Sequence, residues 1–144
     1  KEPLLNVTLL DISDKALEVA KKNAQLLEAN VSFLENDMLE GINDKFDIII
    51  SNPPYIKTDE KIEEIVSSNE PNIALYGGKD GLDFYIKILE KAKNCLNEKF
   101  LIAFEIGATQ ANDIIKIANN YLACETEVIK DLNGFDRIVF IKLK

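Results

Sequence analysis

The stretch FDIIISNPPYIK, residues 46–57, decides how this chain folds. An apolar run meets Ser51 and Asn52 and then stops on two prolines and a tyrosine. Such a run is the pattern of a strand buried on both faces of a parallel sheet. Proline ends it, because its ring locks φ and removes the N–H that a ladder would use. In open α/β sheets ligands bind outside the carboxyl ends of the strands, so a rigid turn at that place is either a plain strand terminator or a binding element. In the second reading the prolines hold the carbonyls of Asn52 and Pro53 in fixed directions as acceptors. A planar amide or aromatic amine is a poor nucleophile because its lone pair is delocalised. If the Asn52 side-chain oxygen accepts one of its N–H groups and the Pro53 carbonyl the other, the nitrogen is held in place without a strong base, while Tyr55 stacks on the flat acceptor. A buried strand before this turn, and a tyrosine and long loop after it, favour the binding element.

Working outward, VTLLD (Val7–Asp11) is a short apolar strand closing on an acid. Ser13 then caps a helix on which Ala16, Ala20, Ala24 and Leu27 hold helical spacing. Val31–Leu34 is a second brief strand ending near Asn36 and Asp37. Strand, helix, strand is the βαβ signature. After the prolines, residues 57–78 are polar, with a weak helical pattern at Ile62, Ile65 and Val66, and they are long for a loop in a compact domain. Tyr85, Ile88, Leu89, Ala92 and Leu96 mark an amphipathic helix, KFLIAFEIG (99–107) a strand, and Ala111, Ile114, Ile115, Ala118 and Leu122 another helix. TEVIKDL and FDRIVFIKL flank Asn133-Gly134, the dipeptide suited to a tight hairpin with two positive φ angles, so the sheet is expected to end in an antiparallel pair.

Composition bounds the chemistry. The chain has 144 residues, 47% hydrophobic and 29% charged, as expected of one globular domain with one core. No apolar run is long enough to span a membrane, and a signal-peptide pattern is missing, so a soluble cytoplasmic protein is expected. Cys95 and Cys124 lack CxxC spacing and read as small buried apolar residues, with no metal site expected. A formal charge of −8 without a basic stripe disfavours tight direct binding to nucleic acid. The absence of histidine removes Ser-His-Asp and Cys-His triads and the usual neutral-pH proton shuttle, leaving carboxylates, amides, backbone or a cofactor.

VTLLDIS, Asn36-Asp37, SNPPYI, EPNIALYGGKDGLDFY, FEIG and KDLNGFDRIVF together resemble the HemK-type peptide chain release factor N5-glutamine methyltransferases, from about residue 7 to the C-terminus. NPPY alone is shared with other amino-methylating enzymes; followed by EPNIALYGGKDGL and then KDLNGFDR it is far more specific. The resemblance implies an α/β, Rossmann-like S-adenosylmethionine-dependent methyltransferase sheet with a C-terminal antiparallel hairpin. It implies methyl transfer from S-adenosylmethionine to the side-chain amide of the glutamine in the GGQ motif of release factors, which would be the partners. The acceptor site would comprise Asn52, Pro53, Pro54 and Tyr55. The cofactor side would comprise Asp11 with Ile12 at the ribose, Asp37 with Met38 at the adenine, and Asn52. Each acid has a bland alternative: Asp11 as a helix N-terminal charge beside Ser13, Asp37 as a solvated loop residue. Glu70-Pro71 and Gly77-Gly78 either shape the loop over the acceptor or are solvated turn residues. Glu105 either faces the cleft or caps the helix near Thr109, and Asp136 with Arg137 reads as a candidate ion pair on the hairpin.

The pattern departs from the family at one end. A DxGxGxG loop should cradle the methionine part of the cofactor, yet the six glycines form no such array. The first strand, that loop and the N-terminal helical substrate-docking domain therefore read as missing, making residues 1–144 a truncated catalytic domain. The edges of the strands at Val7–Asp11 and Phe46–Ser51 are then expected either to close on each other or to pair with another chain. Two rival functions stand beside the leading one: adenine-N6 methylation of DNA or RNA, which uses the same turn on a flipped-out or single-stranded base, and a non-catalytic fragment or docking module.

Overall fold

A computed structural model describes residues 5–60 and 74–144; the expected helical pattern at Ile62, Ile65 and Val66 and the Glu70-Pro71 pair lie outside the described residues. The chain forms two compact units, Lys1–Gly41 and Ile42–Lys144.

In the first unit β1 (Val7–Asp11) and β2 (Val31–Glu35) pair in parallel, Val7 opposite Val31 and Asp11 opposite Glu35, with α1 (Asp14–Leu26) as the crossover. The expected βαβ unit is present. Ser13 caps α1, its hydroxyl oxygen accepting from the Ala16 N–H at 3.3 Å, and Asp14 sits at the positive end of the helix dipole. The helix stops in a Schellman arrangement. The Ala29 N–H donates to the Ala24 carbonyl and the Glu28 N–H to that of Gln25, with Glu28 at φ 49° where glycine is usual. The buried face differs from the expected stripe. Leu17 is the buried anchor, with Ala20 and Ala24 half-buried, whereas Ala16 and Leu27 are exposed. A bulky leucine at the centre of the face buries more apolar area than the alanines that suggested the spacing.

In the second unit β3 (Phe46–Ser51), α2 (Asp83–Cys95), β4 (Leu96–Glu105), α3 (Ala111–Tyr121), β5 (Cys124–Lys130) and β6 (Asp136–Leu143) build a mixed sheet of order β3-β4-β6-β5. β3 and β4 are parallel; β6 is antiparallel to both β4 and β5. The Rossmann-like α/β class with a terminal antiparallel hairpin is the architecture observed. Ile102 and Phe104 of β4, Val139 and Ile141 of β6, Tyr85 and Leu89 of α2 and Ile114 of α3 are fully buried and form the core. The Tyr85 ring meets Phe104 edge-on, centroids 5.2 Å apart.

Several expectations are corrected. β3 is not buried on both faces, since Ile48 is 51% and Ile50 80% exposed. It has a single partner, β4, and its other edge carries no strand among the described residues. Among the described residues β1 and β3 belong to separate sheets, so of the two outcomes expected, closure or pairing with another chain, direct strand pairing between them is not seen. The hairpin is also wider than the two-residue turn expected. Of Asn133 and Gly134 only Gly134 has a positive φ, 86°, and the Asp131 carboxylate organises the loop by accepting from the N–H groups of Asn133 and Phe135. This is a longer loop ended by one left-handed glycine, with a register shift between Ile129 and Lys130. Asp136 and Arg137 do not pair with each other. Neighbours on one strand point to opposite faces, so Lys130 reaches Asp136 at 2.7 Å and Arg137 reaches Asp131 at 3.3 Å. Partial desolvation pushes the Asp131 carboxyl up, but the two N–H donors and the Arg137 guanidinium outweigh it and hold its pKa below the usual range.

Cys95 and Cys124 are buried free thiols, as read from their spacing. Burial pushes both thiol pKa values up, so they stay protonated and unreactive at neutral pH. Among the described residues no helix is long and apolar enough to cross a membrane, and no cluster of acidic and cysteine side chains could hold a metal ion.

Candidate active site

β3 delivers Asn52 to the carboxyl end of a parallel strand, where Asn52 is exposed, Pro53 buried, and Pro54, Tyr55 and Ile56 half-buried. The prolines have no N–H to give, so the turn is braced from Ile56 onward. The Ile56 N–H donates to the Leu75 carbonyl at 3.0 Å, the Gly77 N–H to Ile56 at 2.8 Å, and the Thr58 N–H to Gly78 at 3.0 Å, a short parallel pairing of YIK against LYGG. Backbone lies against backbone here, which explains the glycines. A Cβ on Gly77 would overlap the Pro54 carbonyl oxygen and come within 3.0 Å of the Tyr55 Cα. Gly81, at φ 76°, leaves no room for a Cβ beside the Tyr55 carbonyl. Gly77→Ala is therefore expected to displace the proline turn, lowering stability by about 1–3 kcal/mol, as overpacking does. A denaturant midpoint equal to that of the unmutated chain would show that the loop yields freely.

Two further side chains lock this end of the unit. Tyr85 donates its hydroxyl to the Glu105 carbonyl at 2.8 Å, tying α2 to the end of β4. Burial, reinforced by nearby Tyr55 and Glu105, pushes the Tyr85 pKa well above the ordinary phenol value, so it remains a neutral donor. Thus Glu105 engages this contact through its main chain. Gln110, at the start of α3, is buried and hydrogen-bonds three separate segments: Gly107, Tyr55 and Gly81. The sequence reading passed over Gln110. The signal available was its position: glutamine stands at the N-cap, where serine, threonine, aspartate or asparagine is usual, and its side chain does not cap the helix. A cleft lined by Lys57, Asp80, Leu82, Thr109, Gln110 and Asp113 opens on this side, and Asn52 is not among its lining residues.

In the first unit Asp11 closes β1, and its Oδ1 accepts from the Ser13 N–H at 2.8 Å. That bond orients the carboxylate at the carboxyl end of a parallel strand. Ile12 beside it is 53% exposed. Asp37 is exposed and Met38 half-buried with φ 50°, in a turn knotted by Asn36, whose Nδ2 donates to the carbonyls of Met38 at 3.0 Å and Glu40 at 2.9 Å. The Asn36 N–H donates to the Asp11 carbonyl at 3.0 Å, so the two acid-bearing strand ends are tied together. The structure thus groups Asp11, Ile12, Asp37 and Met38 in one unit and Asn52, Pro53, Pro54 and Tyr55 in the other.

A βαβ unit with acids at its strand ends, and a mixed sheet whose parallel strand stops on an Asn-Pro-Pro-Tyr turn, give the Rossmann-like architecture shared with solved methyltransferases. The model of the methyltransferase small domain family matches residues 1–70. A solved methyltransferase from Pyrococcus furiosus superposes with a TM-score of 0.72 at 25% identity, covering 95% of this chain and 61% of that one. By sequence the chain is similar to release factor glutamine methyltransferases. It is 39% identical to the release factor glutamine methyltransferase of Bacillus cereus, covering 97% of this chain and 52% of the relative. It is 43% identical to that of Bacillus subtilis, covering 93% and 49%. The chain spans about half the length of the curated relatives it matches.

Proposed function

We propose that this chain carries the acceptor-binding part of an enzyme that methylates the side-chain amide nitrogen of the glutamine in the GGQ loop of a peptide chain release factor. The observation that carries the reading is the exposed Asn52 at the end of β3, on a turn whose following residues are locked by LYGG. S-adenosylmethionine supplies a methyl group on a positively charged sulfur. The Asn52 Oδ1 accepts one amide N–H of the substrate and the Pro53 carbonyl the other, turning the nitrogen lone pair toward that methyl group, and Tyr55 stacks on the amide plane. As the N–C bond forms the C–S bond breaks, and the nitrogen then gives up one proton to water. Two acceptors aimed at the N–H groups favour the charge that builds on nitrogen, so no histidine is needed.

On the cofactor side, Asp11 is suited to ribose hydroxyls because the Ser13 N–H already fixes its carboxylate, and Asp37 with Met38 would face the adenine. The glycine-rich loop for the methionine part would come from outside residues 1–144, as would the docking surface for the release factor. An enzyme acting on release factors would work in the cytoplasm. The formal charge of −8 weighs against the nucleic-acid alternative.

The test is incubation of release factor and S-adenosylmethionine with an enzyme of the relatives' full length that contains this segment, read by mass spectrometry of the GGQ peptide. A single methyl group on the glutamine is expected; an unmodified glutamine, with methyl groups on adenine in nucleic acid instead, would overturn the proposal. Calorimetric titration with S-adenosylmethionine separates the parts: the longer enzyme should bind and residues 1–144 alone should not. Equal binding by both would mean that Asp11 and its neighbours hold the cofactor without the glycine loop.

A further inference from the structure

We infer that Gln110 is the positioning residue of the acceptor turn, holding the Tyr55 main chain in register so that Asn52 and Pro53 present their oxygens in fixed directions; this rests on the reading of Asn52–Tyr55 as the acceptor site. Gln110 is 6% exposed and is the buried polar side chain among the described residues. Its Oε1 accepts from the Gly107 N–H at 2.9 Å, and its Nε2 donates to the carbonyls of Tyr55 and Gly81, both at 3.1 Å. The partners fix the orientation of the amide: an N–H calls for oxygen and two carbonyls call for the NH2. One planar group thereby joins the proline turn, the glycine loop and the segment between β4 and α3.

Such a tie is needed at this point. Pro53 and Pro54 donate nothing, and among the described residues the first backbone bond after β3 is made by Ile56. The Tyr55 carbonyl is part-buried, and Gln110 supplies it with a donor, since an acceptor removed from water and left unpaired is costly. Glutamine suits the place because two carbonyls converge on one nitrogen. Glutamate would set oxygen against oxygen, and asparagine lacks the reach. Gly81 is the complementary requirement, for a Cβ there would come 2.6 Å from the Gln110 Nε2. A group whose amide is taken up by three backbone segments acts on transfer through geometry, and small misplacements of reacting groups are expensive in rate.

The experiment measures Gln110→Glu and Gln110→Met beside Asn52→Ala in the full-length enzyme, with release factor and S-adenosylmethionine as substrates. The readouts are kcat, KM for the release factor, cofactor affinity and the thermal midpoint, with rates taken where each variant is folded. Gln110→Glu keeps an acceptor for Gly107 and loses both donors. Its kcat is expected to fall about 10- to 100-fold, with cofactor affinity unchanged. A purely structural role would lower the midpoint and leave the kcat of the folded molecules intact, and that result overturns the inference. Should neither Gln110 variant fold, amide exchange in the unmutated protein decides. Gly107 should exchange slowly, whereas exchange as fast as that of exposed Asn133 would overturn the clamp. If Asn52→Ala transfers at the unmutated rate, the acceptor-site reading itself falls. If Asn52→Ala is inactive while Gln110→Glu keeps full kcat, only the role of Gln110 falls.

Discussion

Asn52→Ala in the full-length enzyme is expected to lower methyl transfer to release factor by about 100- to 1000-fold, the scale of losing one preorganised hydrogen-bonding group aimed at developing charge. The side chain is exposed at the end of β3, so its removal leaves no hole in the core and stability should hardly change. Cofactor binding should persist, since Asp11 and Asp37, the residues proposed for it, are untouched. The loss should fall on kcat rather than on KM for the release factor, because the bonds from the amide N–H groups to Asn52 and Pro53 strengthen as nitrogen becomes positive. A variant that kept its kcat would remove the two-acceptor mechanism, whatever its KM.

The largest expected effect on stability is at Phe104. This side chain is fully buried, meets Tyr85 edge-on, and stands opposite Ser51 on one side and Val139 on the other. Phe104→Ala should cost about 3–5 kcal/mol, the lost transfer energy of the ring together with the cavity left behind. That is a large share of the total for a domain whose net stability is about 5–15 kcal/mol. Leu132→Ala, at a fully exposed position of the hairpin loop, should be nearly neutral in the same urea titration. A loss at Phe104 below about 1 kcal/mol would mean that β4 is not the centre of the core. Because Ser51 pairs with Phe104 and precedes Asn52, methyl transfer should weaken with the fold.

Much of the architecture was legible in residues 1–144 because it follows from local pattern. Short apolar runs closing on acids mark the parallel strands, helical spacing marks α2 and α3, and a strand stopped by two prolines marks the candidate site. These signals depend on backbone chemistry that each segment carries with it. The misreadings lie where the partner decides. Isoleucines read as a strand buried on both faces, but the exposure of Ile48 and Ile50 depends on how many strands flank β3. Asn133-Gly134 suggested the tightest turn, but the Asp131 carboxylate captures two N–H groups and stabilises a longer one. Asp136 and Arg137 are neighbours in sequence and point apart on the strand, so each found its counter-charge on Asp131 or Lys130 instead.

By itself, then, the sequence determined the α/β class, the position of the proline turn and the residue types offered to an acceptor amide. Its motifs also carried the resemblance to release factor glutamine methyltransferases. Tertiary structure alone decided how that turn is held: that LYGG lies along YIK, that Gly77 and Gly81 clear room for carbonyls, and that Gln110 binds three segments with one amide. The physical reason is separation along the chain. Tyr55, Gly81 and Gln110 are joined by hydrogen bonds across spans of 55 and 29 residues, and no local propensity encodes which distant carbonyl a buried amide will meet.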